Sequence, residues 1–290
     1  MQKTVAVLLF SISLFAMDPL VDARWLKKSI SSKDLVIIDL SSKKAYENGH
    51  IPGALHSDIS MWRKKHGKFS LVGSKERIET LMRSLGIGKD SRVVLYSHHT
   101  NDKDILKPAY VIWAMELYGF KNSAILDGGL KAWKREGGEV TTEIPEPVVS
   151  DFKAVFNPYM SIDIESVKER IGKVRMIDAR PARFYFGAQR QPVLKRAGHI
   201  SGATSYHWRY SFNDNTEMKS VEELRSMLVD GLGLDPEKEV VTYCTGGLET
   251  SMNYFVLHRL LRFSKARLYD ASMKEWANRT DTPMTSYKWE

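Results

Sequence analysis

The run Arg196-Ala197-Gly198-His199-Ile200-Ser201-Gly202-Ala203 has an earlier counterpart in Tyr46-Glu47-Asn48-Gly49-His50-Ile51-Pro52-Gly53-Ala54. Upstream of each lies an apolar stretch ending in aspartate, Val174-Arg175-Met176-Ile177-Asp178 and Val36-Ile37-Ile38-Asp39. Downstream, Glu239-Val240-Val241-Thr242-Tyr243-Cys244 answers Arg92-Val93-Val94-Leu95-Tyr96-Ser97. Further on, Asp270-Ala271-Ser272-Met273-Lys274-Glu275-Trp276 answers Asp127-Gly128-Gly129-Leu130-Lys131-Ala132-Trp133. Matched blocks in one order are the signature of a repeat, so the chain holds two copies of one domain.

Within each copy, short apolar runs alternate with stretches of helical spacing: 74–85 and 108–117 in the first, 221–228 and 251–261 in the second. Strands separated by helices of this length form a parallel sheet covered by helices on both faces, the α/β class, with ligands beyond the carboxyl ends of the strands. The expected division is a first domain over 18–138, a linker over 139–159 and a second domain over 160–290. Thr141, Thr142, Pro145, Pro147 and Pro158 break periodicity in the linker and hold it extended. Before these, Lys3 precedes the uncharged apolar run from Thr4 to Ala16, the layout of a secretory signal over 1–16 with cleavage after Ala16. The expectation is an exported, periplasmic protein with no stable membrane association, or, as the alternative, one anchored by an uncleaved signal.

The chain has 290 residues, 43% of them apolar, which suits two globular domains and excludes a disordered or fibrous protein. A formal charge of +8 spread along the sequence favours anionic small molecules or acidic partners. The densest basic run, Trp62-Arg63-Lys64-Lys65-His66-Gly67-Lys68, reads as a surface loop without interleaved stacking aromatics, so no nucleic-acid partner is expected.

Cys244 is the single cysteine. A lone cysteine is ordinarily a small buried hydrophobe. This one ends an apolar strand and is followed by Thr245-Gly246-Gly247, small residues that let backbone N–H groups approach an anion, and then by a helical stretch. That context marks a sulfur nucleophile whose thiolate is stabilised below the ordinary cysteine pKa of about 8.5. An arginine required by a phosphatase-type Cys-x5-Arg cradle is absent. His50 and His199 occupy matching turns in both copies, only one of which has a thiol, so both read as structural. His98 and His99 have no Cys, Asp or Glu at ligand spacing, and no metal is expected. Asp39 and Asp178 read as acceptors that fix the loops after their strands.

The paired Gly-His-Ile-x-Gly-Ala motifs, the two Asp-to-Trp segments and the cysteine after the fourth matched strand together resemble the tandem-domain rhodaneses, the thiosulfate and 3-mercaptopyruvate sulfurtransferases. The resemblance implies a degenerate first domain, with Ser97 in place of the thiol, and a catalytic second one. It implies transfer of sulfur from an anionic donor through a Cys244 persulfide to a thiol, cyanide or acceptor protein, with no cofactor. The implied substrate-binding residues are Arg183 and the loop Thr245, Gly246, Gly247, Leu248, Glu249 and Thr250. Arg190, Lys195 and Arg196 are candidates for a second cation. Glu249 stands where both family types carry threonine, and a carboxylate there opposes a thiolate and a dianionic donor. A sulfur carrier that loads once without free turnover is the alternative reading.

Overall fold

The computed structural model describes residues 17–287; the expected signal segment lies outside them. In the first copy, β1 (Leu20–Val21), β2 (Leu35–Asp39) and β3 (Ala54–His56) precede a hairpin of β4 (Arg63–His66) and β5 (Phe69–Val72). Then follow β6 (Arg92–Tyr96) and β7 (Ser123–Leu126). Apart from the hairpin these form one parallel sheet in the order β1-β7-β6-β2-β3. The second copy has β8 (Arg175–Asp178), β9 (His199–Ile200), β10 (Thr204–Ser205), β11 (Val240–Tyr243), β12 (Ala266–Leu268) and β13 (Met284–Thr285). Its parallel sheet runs β10-β8-β11-β12, the first copy's order with one strand fewer. A single parallel bridge from Ser161 to Leu268 stands where β1 pairs with β7. The repeat read from sequence is therefore a structural repeat.

Helices depart from their expected limits for identifiable reasons. The helix α1 spans Asp102–Leu117 and begins well before Pro108 because Asn101 caps it, accepting from the N–H groups of Lys103 and Asp104. Pro108 sits inside it and cannot donate to the Asp104 carbonyl four residues back. Ser97 Oγ supplies that bond at 2.8 Å. The helix α2 spans Leu248–Tyr254 and starts three residues before the expected Ser251, continuing as a π-helical turn over Phe255–Leu260. Gly247, at φ 96°, is the last residue before it, so Glu249 and Thr250 belong to the first helical turn. The stretch at 221–228 likewise divides into an α-helical turn, Val221–Arg225, and a π-helical one, Ser226–Gly231.

α1 and α2 pack against each other, so the two sheets share one continuous core. At its edge, buried Arg259 donates to Glu116 at 2.6 Å and to the Ser123 carbonyl at 2.8 Å, and Tyr254 donates to the same carboxylate. The chain between the copies is extended but packed. Phe152 and Ala154 are buried against the first copy, and Thr141 bridges His50.

In the run Trp62–Lys68, Lys64 to Lys68 are exposed as its charge suggested, but the segment is a strand and hairpin turn rather than a loop. Trp62 is fully buried, and the arm formed by β4 and β5 reaches across to the second copy. Two aspartates complete the interlock: Asp127 accepts from the Met218 N–H of the second copy, and Asp270 from the Val72 N–H of the first. These occupy matched positions in the repeat, so one contact is the pseudo-symmetric image of the other.

Candidate active site

β11 delivers Cys244 to the carboxyl end of the second sheet, where the chain turns through Thr245, Gly246 and Gly247 into α2. No side chain caps this helix. Cys244 Sγ accepts instead from Gly246 N–H at 3.3 Å and Gly247 N–H at 3.2 Å, with Thr250 N–H also directed to it. Gly247 has no substitute here: a Cβ would lie 2.1 Å from Asp270 Oδ1, at a φ that L side chains rarely adopt. Behind the thiol, Ser272 Oγ accepts from Cys244 N–H at 3.0 Å and gives its own proton to the Tyr269 carbonyl at 2.7 Å. The loop is thereby pinned from both sides.

The geometry is that of an anion cradle, but the resting thiol is not acidic. Burial pushes it up to about 12, with the Glu249 charge adding to the effect and the N–H groups of Thr250, Gly246 and Gly247 opposing it. Desolvation of the charged form outweighs three amide dipoles, which overturns the expectation of a lowered pKa. Glu249 is itself held above the usual carboxylate range by burial and by Asp178, against the pull of Thr245 N–H and Arg180. The cradle's N–H groups are thus divided: three serve the sulfur, and that of Thr245 serves Glu249.

A cleft of about 870 Å³ between the copies opens over the sulfur. Arg183 projects into it from a short helix, Ala182–Tyr185, its guanidinium lying 4.7 Å from the Phe184 ring centre. Thr245, Gly246, Leu248 and Glu249 line the same cleft; Thr250 and Gly247 are buried beneath it. Lys103 and Lys274 line it as well, and among the described residues neither they nor Arg183 has an ion-pair partner. Lys274 lies under the loop, its N–H donating to the Thr245 carbonyl at 2.9 Å and its stem beside Gly246. Its equivalent in the first copy is Lys131, and its place in the Asp270-to-Trp276 segment was the one signal available for it. None of the second-cation candidates lines the cleft. Arg190 is spent on the Leu194 carbonyl, and Arg196 on the carbonyls of Trp276 and Thr282. Lys195 is exposed.

The histidines and aspartates singled out in the sequence hold loops and turns in place. His50 and His199 stack on Tyr46 and Tyr185 at 3.8 and 3.9 Å and each bonds the carbonyl of its stacking partner. Asp178 fixes the loop after β8 through Arg180, whose N–H it accepts at 3.0 Å and whose guanidinium it pairs at 2.6 Å. Asp39 does the same with Ser41 N–H and His98. His99 bonds Thr216 of the second copy.

Arg63, which the sequence reading placed in a surface loop, lies at the site instead. From the first copy it donates through Nη2 to the Gly246 carbonyl at 2.7 Å and the Ser70 carbonyl at 2.6 Å, 3.5 Å from Asp270 and over the Tyr110 ring at 4.7 Å.

A family model described as the rhodanese-like domain matches residues 22–136 and again 163–279. The chain belongs to the rhodanese-like family. One relative of this rhodanese-like chain, a protein of Synechococcus elongatus named provisionally as a thiosulfate sulfurtransferase, is 31% identical over 87% of this chain and 81% of its own. The sulfur carrier protein TtuD of Thermus thermophilus is also 31% identical, over 92% of this chain and 96% of its own. In structure, SseA of Escherichia coli, described as a 3-mercaptopyruvate sulfotransferase, aligns with a TM-score of 0.75 at 26% identity, covering 88% of this chain and 98% of that one. The anaerobic ergothioneine biosynthesis enzyme of Chlorobium limicola aligns with a TM-score of 0.82 over 94% of this chain and 71% of its own, at 21% identity, a likeness of fold alone.

Proposed function

We propose that the protein is a sulfurtransferase in which Cys244 carries sulfur as a persulfide. The observation that carries this reading is a thiol receiving loop N–H groups at the floor of a cleft with unpaired cations. Cys244 attacks the outer sulfur of thiosulfate, breaking its S–S bond, or the thiol sulfur of 3-mercaptopyruvate, breaking its C–S bond so that the enolate of pyruvate leaves and takes up the proton. The new S–S bond forms as the donor's sulfur bond breaks, and sulfite or the enolate leaves with the electron pair. Because the resting thiol is protonated, its proton departs with the leaving group, as hydrogensulfite in the first case. An acceptor thiolate, or cyanide, then attacks the outer sulfur of the persulfide and restores Cys244. Arg183, Lys103 and Lys274 are suited to hold the donor's carboxylate or sulfonate end.

The test is intact-mass spectrometry before and after each donor, combined with release of sulfite or pyruvate over time. A gain of one sulfur in the native protein, absent from Cys244→Ala, with continuing product release is the expected result; turnover by Cys244→Ala would refute the proposal. A single stoichiometric gain without turnover would instead identify the carrier, a reading that Glu249 favours because its charge opposes the thiolate. Export directed by residues 1–16 belongs to the same proposal: protein from an exporting host should begin at Met17, and an intact N-terminus on a membrane-bound product would indicate the anchored form.

A further inference from the structure

The copy that lacks a thiol supplies a largely buried guanidinium to the loop of the copy that has one. Arg63 Nη2 donates to the Gly246 carbonyl at 2.7 Å, and the same peptide unit presents Gly247 N–H to Cys244 Sγ at 3.2 Å. In a trans peptide the C=O and the following N–H point in opposite directions. No described peptide bond is cis, so a donor that fixes this carbonyl outward fixes the N–H inward. A charged donor on the carbonyl also polarises the N–H, which strengthens its bond to an anionic sulfur. We propose that Arg63 is a positioning residue for sulfur transfer, orienting the Gly246–Gly247 peptide so that its N–H stabilises the Cys244 thiolate.

Its own placement is over-determined. The guanidinium is shared between the Gly246 and Ser70 carbonyls, flanked by Asp270 and stacked over Tyr110. Tyr110 OH and Val72 N–H hold the Asp270 carboxylate at 2.9 and 2.7 Å. The Arg63 side chain is 13% exposed, so its charge acts in a poorly screened setting. Gly247 completes the arrangement, since only a residue without Cβ lets Asp270 approach so closely.

The inference rests on reading Cys244 as the nucleophile, but its test does not require a sulfur donor. The rate of Cys244 alkylation by iodoacetamide, measured against pH, reports the thiolate directly. In Arg63→Gln, folded by circular dichroism, the rate at pH 8 is expected to fall about tenfold as the profile moves up by about one unit. Arg63→Lys, which retains the charge on a shorter side chain, is expected to recover part of that loss. If Arg63→Gln does not fold, a shift of at least about threefold in Arg63→Lys carries the test. A profile in the folded variants that superposes on that of the native protein would overturn the inference, as would a fall that Arg63→Lys does not lessen. Donor loading of the native protein is scored separately, so failure of the sulfurtransferase reading would show as absent loading beside an intact Arg63 effect.

Discussion

Cys244 and Glu249 form an opposed pair whose balance decides how readily sulfur is picked up. The cradle supplies three N–H groups to the thiolate, yet burial and the neighbouring carboxylate keep the proton on. Glu249→Gln leaves an acceptor for Thr245 N–H and removes the charge. Alkylation of Cys244 at pH 8 is then expected to rise about tenfold, the equivalent of one unit of thiol pKa. The thiosulfate KM should fall in the same variant, because a dianion no longer faces a carboxylate, while that for a donor bearing one charge changes less. Equal KM ratios for the two donors in native and variant protein would show that Glu249 does not select between them. That Cys244 sits in a cradle of backbone N–H groups was legible because its loop has no reason to be so small in a plain core. The sign of its pKa shift was not, since sequence shows the donors but not the depth of burial.

At the scale of elements, the strand-loop-helix of the second copy and its degenerate twin differ in what the first residue after the strand must do. Cys244 accepts hydrogen bonds there, whereas Ser97 donates one, to a carbonyl that Pro108 leaves open in α1. Ser97→Ala should therefore destabilise the protein by about 1–3 kcal/mol, the cost of a buried acceptor left unpaired, read as a shift in the urea midpoint at unchanged slope. A loss within experimental error would mean that water or a shift of the helix start replaces the hydroxyl. The strands were legible because both copies carry the same blocks, from Val36–Asp39 against Val174–Asp178 onward. The arm from Arg63 to Val72 was not, because it belongs to no matched block and its charge imitates a solvated loop. What ties Arg63 down is the other copy, through the Gly246 carbonyl and Asp270, and local sequence has no access to that.

Over the whole molecule, the pseudo-symmetric aspartates bind the copies at an electrostatic cost. Burial raises both Asp127 and Asp270 to about 6, the latter despite Arg63. An acid with a folded pKa above its unfolded value near 3.9 binds more protons in the native state between those limits. Its contribution is therefore greatest below about pH 4 and is lost as pH rises to about 6. Asp127 isolates this effect because it touches neither Arg63 nor the cradle. Asp127→Asn preserves the acceptor for Met218 N–H and cannot ionise. The unfolding free energy of the native protein relative to this variant is expected to decline by up to about 2–3 kcal/mol between pH 4 and 6.5 and to stay level above it. A difference that is flat across that range would show that Asp127 titrates as an ordinary surface carboxylate and that the interlock carries no cost. A decline confined to this window would instead show that Asp127 loses its contribution as it ionises, so that its hold on the second copy is strongest in mild acid.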